Sequence, residues 1–576
     1  MDKRAILAII LTFLVIFGWS ILQSKLFPPK PLPQEPPTKP SIGEKEIPRK
    51  VDIPKEIKPA KETPPTRTFK PILKREVSVE TQNFIAVLTS DGARIKHFKL
   101  KKYKDRVEQS AFASKVLRFF QGLLGKEVEE VKKPEPLDLI NTEGESLPLK
   151  TTLKGFSSEE GWEVDKEQLR LLNPGETGEV TFAKIFENNL KVFKRYRFNS
   201  EKYFIDLEVE VKNASLNEVT TQVGVEWVGK IELEKLADEG NKDYGLKYAF
   251  LKNQKVERKD LGGGGSAGCT PGCGSVKRKI EPFESSFQGG IRWYSFEGEY
   301  FTALLIPPSS EKNLMLTVKG REKNILETNL ITSPFSVEAN GSSKTPFRIY
   351  LGPKETGRLK ELGVSAEKLV DFGFFTIIAK PLLWFLNLTH GLTKNFGIDI
   401  IILSILIKII FLPLTQISFK SMKEMQKVQP EMARLKETYK NDKARLQQEI
   451  MLLYKRRKIN PMSGCLPMLI QIPVFIALYN ALQNAIEMRH APFFLWIRDL
   501  SAKDPIYITP LIMGASMVIQ QKMTPTAADP TQAKMFMLMP IMFTFLFLNF
   551  PSGLVLYWLV NNLLSIAHQY YLNKKG

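Results

Sequence analysis

The sequence predicts a multi-domain fold: a polytopic α-helical membrane protein with six transmembrane (TM) helices that carries a large extracytoplasmic antiparallel β-sandwich domain. Two observations predict this fold class. Long apolar stretches lie at the two ends of the 576-residue chain, although its mean hydropathy is only −0.15. Between them, apolar and polar residues alternate with the period of two that is typical of strands with one buried face.

The composition argues against several classes of function. The chain has four scattered histidines and three cysteines, so neither a multi-ligand zinc site nor a disulfide framework is expected. The sequence lacks the phosphate-binding pattern of P-loop nucleotidases, which argues against nucleotide hydrolysis. We therefore expect no cofactor, no metal and no enzyme activity. The formal net charge is +20, from 82 Lys and Arg against 62 Asp and Glu, and its distribution orients the membrane segments.

Residues 1–27 form the first predicted TM helix. A basic start precedes an apolar run from Ala5 to Leu22, and no small-residue cleavage site follows it. This pattern favours an uncleaved signal anchor with a cytoplasmic N-terminus, and a cleaved signal peptide is the alternative. Residues 28–67 are predicted to be an extended linker, because residues 28–65 hold 12 of the 37 prolines.

Residues 68–360 are predicted to form the β-sandwich on the outer side of the membrane. Ile205 to Lys212 alternate apolar with charged residues, which places every second side chain on one face of a strand. Ser90–Gly92 lies between two apolar stretches, as the turn of a hairpin would.

A Gly-rich segment at residues 262–268 formally matches a dinucleotide-binding pattern. No predicted strand precedes it and no predicted helix follows it, so we interpret the segment as a loop. Cys269 and Cys273 lie in the same loop, where a local disulfide and two free thiols both remain open.

Residues 365–395 are predicted to form an amphipathic helix that lies in the membrane interface. Leu382–Leu388 is strongly apolar and aromatic but too short to span a bilayer, and Lys380 and His390 stand at its margins. A further core helix of the β-sandwich domain is the alternative.

Residues 396–572 contain five more apolar segments, each near the ~20 residues that a bilayer requires. The loop 420–458 carries 12 Lys and Arg against 5 acidic residues, so the positive-inside rule places it in the cytoplasm. Alternation from this loop puts residues 28–396 outside and both termini inside, in agreement with the anchor. The predicted TM helices are about 397–416, 464–486, 506–523, 532–550 and 553–571.

The cytoplasmic loop is itself predicted to form a helical hairpin over residues 417–459. Apolar residues recur at helical spacing on both sides of Asn441 and Asp442. Because thioethers tolerate varied apolar partners, a basic, Met-bearing surface would suit contact with polypeptide or ribosome. A solvated structural hairpin is the alternative. The candidate contact residues are Met422, Met425, Met432, Lys455, Arg456 and Arg457.

Lys408 is the most informative single residue, since it lies in the middle of an apolar segment. A lysine there costs ~2.5–3.5 kcal/mol on insertion scales, so its ammonium group should face a partner or a hydrated cavity. Ser404 lies one turn earlier on the same helix face, and Gln471 and Asn480 are amides of the next span. The alternative is a lysine whose long stem reaches the cytoplasmic interface.

Long motifs in the C-terminal part of the chain resemble those of the bacterial YidC membrane protein insertases. These motifs are Lys458–Phe475, Ala491–Leu500 and Phe550–Trp558, and Leu412–Thr415 fits as well. The resemblance covers about residues 365–572 with high specificity. The N-terminal anchor and the β-sandwich resemble the Gram-negative form of the family, which has a large periplasmic domain.

The resemblance implies a five-helix insertase core with a hydrophilic groove that is open to the cytoplasm and the lipid. Lys408 aligns with a groove position that is typically Arg in the family, so the charge is kept but the bidentate fork is lost. Tyr557 and Trp558 align with a Tyr-Tyr pair that contacts substrate. The candidate substrate-groove residues are thus Lys408, Ser404, Gln471, Asn480, Tyr557 and Trp558.

The resemblance therefore implies a membrane protein insertase and chaperone of the bacterial inner membrane. It would insert, fold and help assemble integral membrane proteins without ATP hydrolysis, alone or with the Sec translocon. Its expected partners are newly made membrane proteins, the Sec translocon, the lipid bilayer and, through cytoplasmic loops, the ribosome. The rivals are a solute or ion transporter with Lys408 as an anion site, and a membrane-anchored carbohydrate enzyme built on the β-sandwich.

Overall fold

The computed structural model describes residues 74–123, 133–155, 161–186, 189–230, 247–260, 282–457, 466–523 and 530–575. The predicted signal anchor and linker lie outside these residues. The Gly-rich segment with Cys269 and Cys273 lies outside them too, as does the first part of the motif that starts at Lys458. The described residues from 74 to 523 and from 536 to 575 belong to one compact unit.

The first part of this unit, the β-domain, consists of strands and one helix of more than two turns. The strands are β1 (Glu76–Thr81), β2 (Phe84–Thr89), β3 (Arg94–Lys104), β4 (Pro136–Asp138), β5 (Lys150–Leu153), β6 (Glu163–Val164), β7 (Gln168–Leu171), β8 (Thr177–Ile185), β9 (Leu190–Asn199), β10 (Phe204–Asn213), β11 (Val219–Thr221), β12 (Val223–Lys230), β13 (Lys247–Lys252), β14 (Lys255–Asp260), β15 (Phe283–Gly289), β16 (Ile291–Glu297), β17 (Phe301–Ile306), β18 (Leu314–Arg321), β19 (Ile325–Ile331), β20 (Phe335–Val337) and β21 (Ser342–Pro353).

The helices lie mostly in the second part of the chain, the helical region. They are α1 (Ala111–Leu123), α2 (Thr356–Glu361), α3 (Thr376–Thr393), α4 (Phe396–Ile410), α5 (Leu412–Lys427), α6 (Gln429–Thr438), α7 (Lys443–Arg456), α8 (Leu466–Asn484), α9 (Ile508–Met523), α10 (Pro530–Phe547) and α11 (Ser552–Lys575). Of these helices, α1 lies between strands of the β-domain, and the short α2 packs on this domain because its Leu359 is buried in the core.

Three larger sheets build the β-domain around one hydrophobic core. A nine-stranded sheet has the order β14-β13-β16-β17-β21-β10-β9-β8-β6, and two five-stranded sheets have the orders β15-β18-β19-β12-β5 and β4-β3-β2-β1-β7. Buried side chains from all three sheets form a single cluster. The alternation predicted for β10 is present, since Ile205, Leu207, Val209 and Val211 are all buried. The predicted β-rich fold of this domain is thus confirmed.

Strand pairing departs from the expectation in one place. All described pairs are antiparallel except β1 with β7, where Ser78 pairs with Gln168 and Thr81 with Leu171 in parallel. A parallel pair needs a long crossover connection, and the chain between these strands runs through β5 in another sheet. The hairpin predicted around Ser90–Gly92 joins β2 and β3, as expected.

Residues 397–416 are predicted as one TM helix, but the structure has a break within this segment. Helix α4 ends at Ile410, and α5 begins at Leu412 with a bend of 60° between them. Pro413 explains the break, because its missing N–H and fixed φ suit the first turn of a new helix and not the interior of the old one. Helix α5 then continues to Lys427, through the predicted start of the hairpin at residue 417.

Judged by length and hydropathy within the described residues, no single helix suffices to cross a bilayer, whereas the bent pair α4 and α5 passes together. The count of six TM helices therefore stays a prediction.

Helix α3 occupies the segment predicted to lie in the membrane interface. Its buried residues Ala379 and Leu386 belong to clusters with residues of the helical region, among them Ala477 and Ala481 of α8. Its remaining surface exposes Ile377 and Trp384, among other apolar side chains. The alternative of a core helix of the β-sandwich does not hold, because this helix packs on other helices.

Lys194 on β9 is fully buried in the β-domain core. Its Nζ donates to the carbonyl oxygens of Ala93, at 2.8 Å, and Leu149. Among the described residues, no carboxylate lies within ion-pair distance of this amine. Burial lowers the pKa of Lys194 well below its ordinary value, and the positive charge of Arg94 lowers it further.

Replacing Lys194 with Met should remove a pH dependence of β-domain stability. The folded pKa lies below the unfolded value of 10.5, so the unfolded chain binds more protons and stability rises with pH up to that value. The slope should be at most about 1.4 kcal/mol per pH unit. Pulse proteolysis of the full-length protein in nanodiscs, between about pH 7 and about pH 10, measures it. Lys191→Met, at an exposed position of the same strand, should keep the wild-type slope. Equal slopes in all three proteins would contradict the argument.

Candidate functional site

Lys408 lies on α4 beside the last helix of the chain. Its Nζ donates to the Ser565 hydroxyl of α11 at 2.6 Å. Among the described residues, no carboxylate lies within 4.0 Å of this ammonium group. An ammonium group has three N–H donors, so this hydroxyl satisfies only part of its hydrogen-bonding capacity. The hydrogen bond ties the Lys408 side chain to a neighbouring helix, and the alternative of a lysine that snorkels to the interface stays open because α4 ends two residues later, at Ile410.

A polar seam runs along α11 from this contact. The Ser565 hydroxyl donates to the Asn561 backbone carbonyl at 2.7 Å, and the Asn561 side-chain amide donates to the Tyr557 backbone carbonyl at 3.0 Å. The Gln471 amide of α8 donates to the Tyr557 hydroxyl at 3.3 Å. Because residues four apart lie on one face of a helix, Tyr557, Asn561 and Ser565 form a continuous stripe. We call Lys408, Gln471, Tyr557, Asn561 and Ser565 the polar seam.

Ser404 and Asn480 contribute differently from the expectation. Ser404 is fully buried, and its hydroxyl donates to the Ile400 carbonyl of its own helix at 2.7 Å, which leaves little capacity for a substrate. Asn480 donates to the Phe372 carbonyl at 2.9 Å, just ahead of α3. Neither of these two residues has a hydrogen bond to the polar seam within the described part of the chain.

Trp558 also faces away from the seam, although Tyr557 precedes it directly. Its indole packs against Phe475 of α8 at 5.2 Å and Phe547 of α10 at 5.2 Å between ring centroids. Phe543 stacks on it at 6.2 Å. Neighbouring residues of a helix point about 100° apart, so the two aromatic residues enter different environments.

Sequence reasoning missed Ser565 and Asn561 as members of the site. The signal was present, because Tyr557, Asn561 and Ser565 recur every four residues in an apolar helix. Ser565 was missed because a serine in a membrane helix commonly bonds its own backbone, as this one also does.

The cytoplasmic hairpin corrects part of the predicted contact surface. Met432 is buried between α6 and α7 with Val428 and Leu453, and Met425 packs against the same cluster. The Tyr454 hydroxyl contacts the Met432 sulfur at 3.1 Å. Met432 therefore serves the hairpin's own core and is not free to form a contact surface, whereas Met425 is half-buried and stays a candidate contact residue.

The remaining hairpin residues lie at the surface. Lys455 and Arg456 are exposed at the end of α7, and Met422 is half-buried. Arg457 forms an ion pair with Glu431, which ties the two ends of the hairpin together. Asp442 caps α7 by accepting from the Arg445 N–H at 3.0 Å, which explains why the turn falls at Asn441 and Asp442.

The segment between α8 and α9, residues 485–507, joins the helical region to the β-domain. Ile486 is buried in the β-domain core. Arg489 donates to the Lys104 carbonyl at 2.7 Å and lies 5.2 Å from the ring of Phe301. Burial and the neighbouring Arg489 lower the pKa of His490 to about 3, so this imidazole is neutral near pH 7. We call residues 485–507 the outer loop.

Comparison with known proteins gives two family matches. The model of the YidC periplasmic domain matches residues 76–385, and that of the 60Kd inner membrane protein matches residues 388–576. The membrane protein insertase YidC of Syntrophus aciditrophicus is 39% identical over 597 residues, which cover 100% of both chains. That of Geotalea daltonii is 36% identical and covers 100% of this chain and 99% of the relative.

A crystal structure of an active YidC insertase with its first transmembrane domain resolved matches 88% of this chain and 95% of its own. Its sequence identity is 20% and its TM-score is 0.36, which is too low to add to the sequence matches. The two family models cover nearly the whole chain, and the relatives match it from end to end. The chain therefore belongs to the YidC family of membrane protein insertases, with a periplasmic β-domain and a helical C-terminal region.

Proposed function

We propose that this protein inserts newly made membrane proteins into the bacterial inner membrane and helps them fold and assemble. The observation that carries the proposal is the polar seam: a lysine ammonium group, a hydroxyl and amides meet between otherwise apolar helices. Relatives named membrane protein insertase support the same function. No step of it needs nucleotide or covalent chemistry.

The seam would lower the cost of moving a short polar segment across the membrane. Polar groups that line a hydrated path replace part of the water that the segment loses. Lys408 would attract acidic residues of that segment, since opposite charges attract strongly where the dielectric constant is low. Ser565 would hold the ammonium group in place while the path is empty.

Apolar surfaces beside the seam would then guide a hydrophobic helix into lipid. Helix α4 exposes Ile405 and Ile409, and α10 exposes Ile541 and Phe545. Transfer of apolar surface out of water yields about 25 cal/mol per Å2, which is ample for a helix of ~20 residues.

The finer topology is part of the proposal. The anchor at residues 1–27, together with five helices in 396–572, would make six TM helices, with both termini and the hairpin in the cytoplasm. Residues 28–67 would link the anchor to the periplasmic β-domain, and α3 would lie in the outer interface. The 12 basic residues of loop 420–458 support this orientation.

Two partners belong to the proposal as well. The insertase would act alone or beside the Sec translocon, and it would meet the ribosome through the cytoplasmic loops. The exposed Lys455 and Arg456 support ribosome contact, because ribosomal RNA carries a dense negative charge.

Insertion into liposomes tests the function directly. Pure protein without nucleotide should insert a single-span substrate with a short acidic translocated tail. Lys408→Ala should lower the rate roughly tenfold, since ~1.4 kcal/mol of lost attraction corresponds to that factor. Lys408→Arg, which keeps the charge, and a substrate with a neutral tail should each lose little. An unchanged rate with Lys408→Ala would remove the role of this charge, and no insertion above empty liposomes would contradict the proposed function.

Cysteine reactivity tests whether the seam is wet and its surroundings are covered by lipid. In a variant with the native cysteines replaced by Ser, Ser565→Cys should react with a water-soluble maleimide at least roughly tenfold faster than Leu563→Cys, because thiolates do not form in lipid. If the exposed fraction of each side chain in the protein determined the labelling rate, position 563 would react faster, since Leu563 is exposed and Ser565 is half-buried. Faster labelling at Leu563 would contradict the proposed seam.

Ribosome binding tests the hairpin. Deletion of residues 425–455 removes most of α6 and α7 and should weaken binding of nontranslating ribosomes to the protein in nanodiscs. The paired substitutions Lys455→Glu and Arg456→Glu should weaken it too, and more strongly at low salt. Unchanged binding in the deletion variant would sink the idea of a ribosome contact here.

A further inference from the structure

Helix α1 exposes two large aromatic side chains on the surface of the β-domain. Phe112 is 52% exposed and Phe119 is 69% exposed, and they are the two large aromatic side chains with such exposure among the described residues of the β-domain. A buried Phe side chain typically contributes about 1.5–3 kcal/mol relative to an exposed one, so two on a single face are a costly feature in water.

The exposed face of α1 combines these rings with positive charge. At 100° per residue, Phe112, Lys115 and Phe119 fall within one narrow arc, and Arg118 lies at its edge. Ala113 is buried on the opposite side, and Leu117 beside it is half-buried. Helix α1 contains no acidic residue in the whole of Ala111–Leu123. An aromatic face edged only by cations is the pattern of helices that lie on anionic membrane surfaces.

The fold holds α1 beside the outer loop of the helical region. The ring of Phe112 lies 5.9 Å from that of Trp496 in this loop. The Trp496 indole is fixed in turn, since its Nε1 donates to Asp504 at 3.2 Å. On the N-terminal side of α1, Arg489 of the outer loop donates to the carbonyl of Lys104, the last residue of β3.

The depth of the outer loop relative to the bilayer determines the depth of α1, because Phe112 contacts Trp496 of this loop. In the proposed topology, on which this inference rests, the loop joins α8 to α9 where these two apolar helices leave the bilayer. Its own Phe494 and Leu495 are exposed next to Trp496. The apolar face of α1 is therefore continuous with an apolar, aromatic rim at the membrane surface, where Trp side chains are typically found.

We propose that α1 binds the outer leaflet of the bilayer, with Phe112 and Phe119 at the acyl-chain boundary and Lys115 and Arg118 on lipid phosphates. The β-domain thus has a membrane contact of its own, apart from the helices that follow it in the chain. The occupant is lipid because the face is apolar, cationic and level with the membrane surface. A protein partner would have to enter the headgroup region to reach it.

Depth-dependent quenching tests this contact in the full-length protein. The native cysteines are replaced by Ser, and Phe119→Cys is labelled with an environment-sensitive fluorophore. The protein is placed in nanodiscs whose lipids bear a spin label near the headgroup, which quenches a fluorophore at that depth. The control is Leu216→Cys, at an exposed residue beyond the end of β10. That end of β10 pairs with the start of β21. Leu216 is therefore at the end of the sheet that is far from Pro353, the last residue of β21, after which the chain continues to the helices.

We expect strong quenching at position 119 and none at position 216. Equal quenching at the two positions, whether present or absent, would overturn the proposal. The measured quantity is depth and not insertion, so its failure would leave the proposed function untouched.

Lipid charge supplies a second arm. With the probe at position 119, Lys115→Glu should lower quenching by about twofold or more in nanodiscs that contain phosphatidylglycerol, and little in phosphatidylcholine alone. Lys191→Glu reverses an exposed charge on β9 and should change neither. An equal effect of Lys115→Glu in both lipids would overturn the role of the cationic edge.

Discussion

One constraint governs the helical region: a lysine ammonium group sits among apolar helices and must keep its hydrogen bonds. The Ser565 hydroxyl takes one of its three donors, at 2.6 Å, and two are left for water or a substrate. Leaving them dry would cost several kcal/mol, which favours the hydrated path proposed above. The stripe of Tyr557, Asn561 and Ser565 is the polar side of α11 next to this cation. The groove proposed above would meet the requirement.

The β-domain is tied to the same bundle through the outer loop. Ile486 enters the β-domain core, and Arg489 donates to the backbone carbonyl of Lys104 at the end of β3. The neutral His490 adds no charge to this junction near pH 7, since its pKa is lowered to about 3. The buried Ile486 and the charge-assisted hydrogen bond of Arg489 together resist rotation of the β-domain relative to the helices better than either contact alone. The orientation of the β-domain is therefore set by core packing as well as by its chain connection.

The sequence predicted those features that depend on local periodicity or charge. Alternation in β10, the hairpin after β2 and the turn at Asp442 follow from neighbours in the chain, and all are present. The parallel β1 and β7 pair could not be predicted, since it depends on a crossover through another sheet. The predicted role of Met432 was wrong for a similar reason. A methionine at helical spacing looks the same whether it serves a hairpin's own core or a partner's.

Tyr557 and Trp558 show how one helix separates two environments. The family resemblance treats the pair as one aromatic surface, but the structure places Tyr557 against Gln471 in the seam and Trp558 against three phenylalanines. An indole suits the second place because it is larger and more apolar than a phenol. Its cost is a buried Nε1 that finds no hydrogen-bond partner among the described residues. The absence of a second tyrosine hydroxyl at Trp558 therefore leaves the polar side of α11 unchanged, since the side-chain contacts of the seam come from Tyr557 with Gln471 and from Ser565 with Lys408.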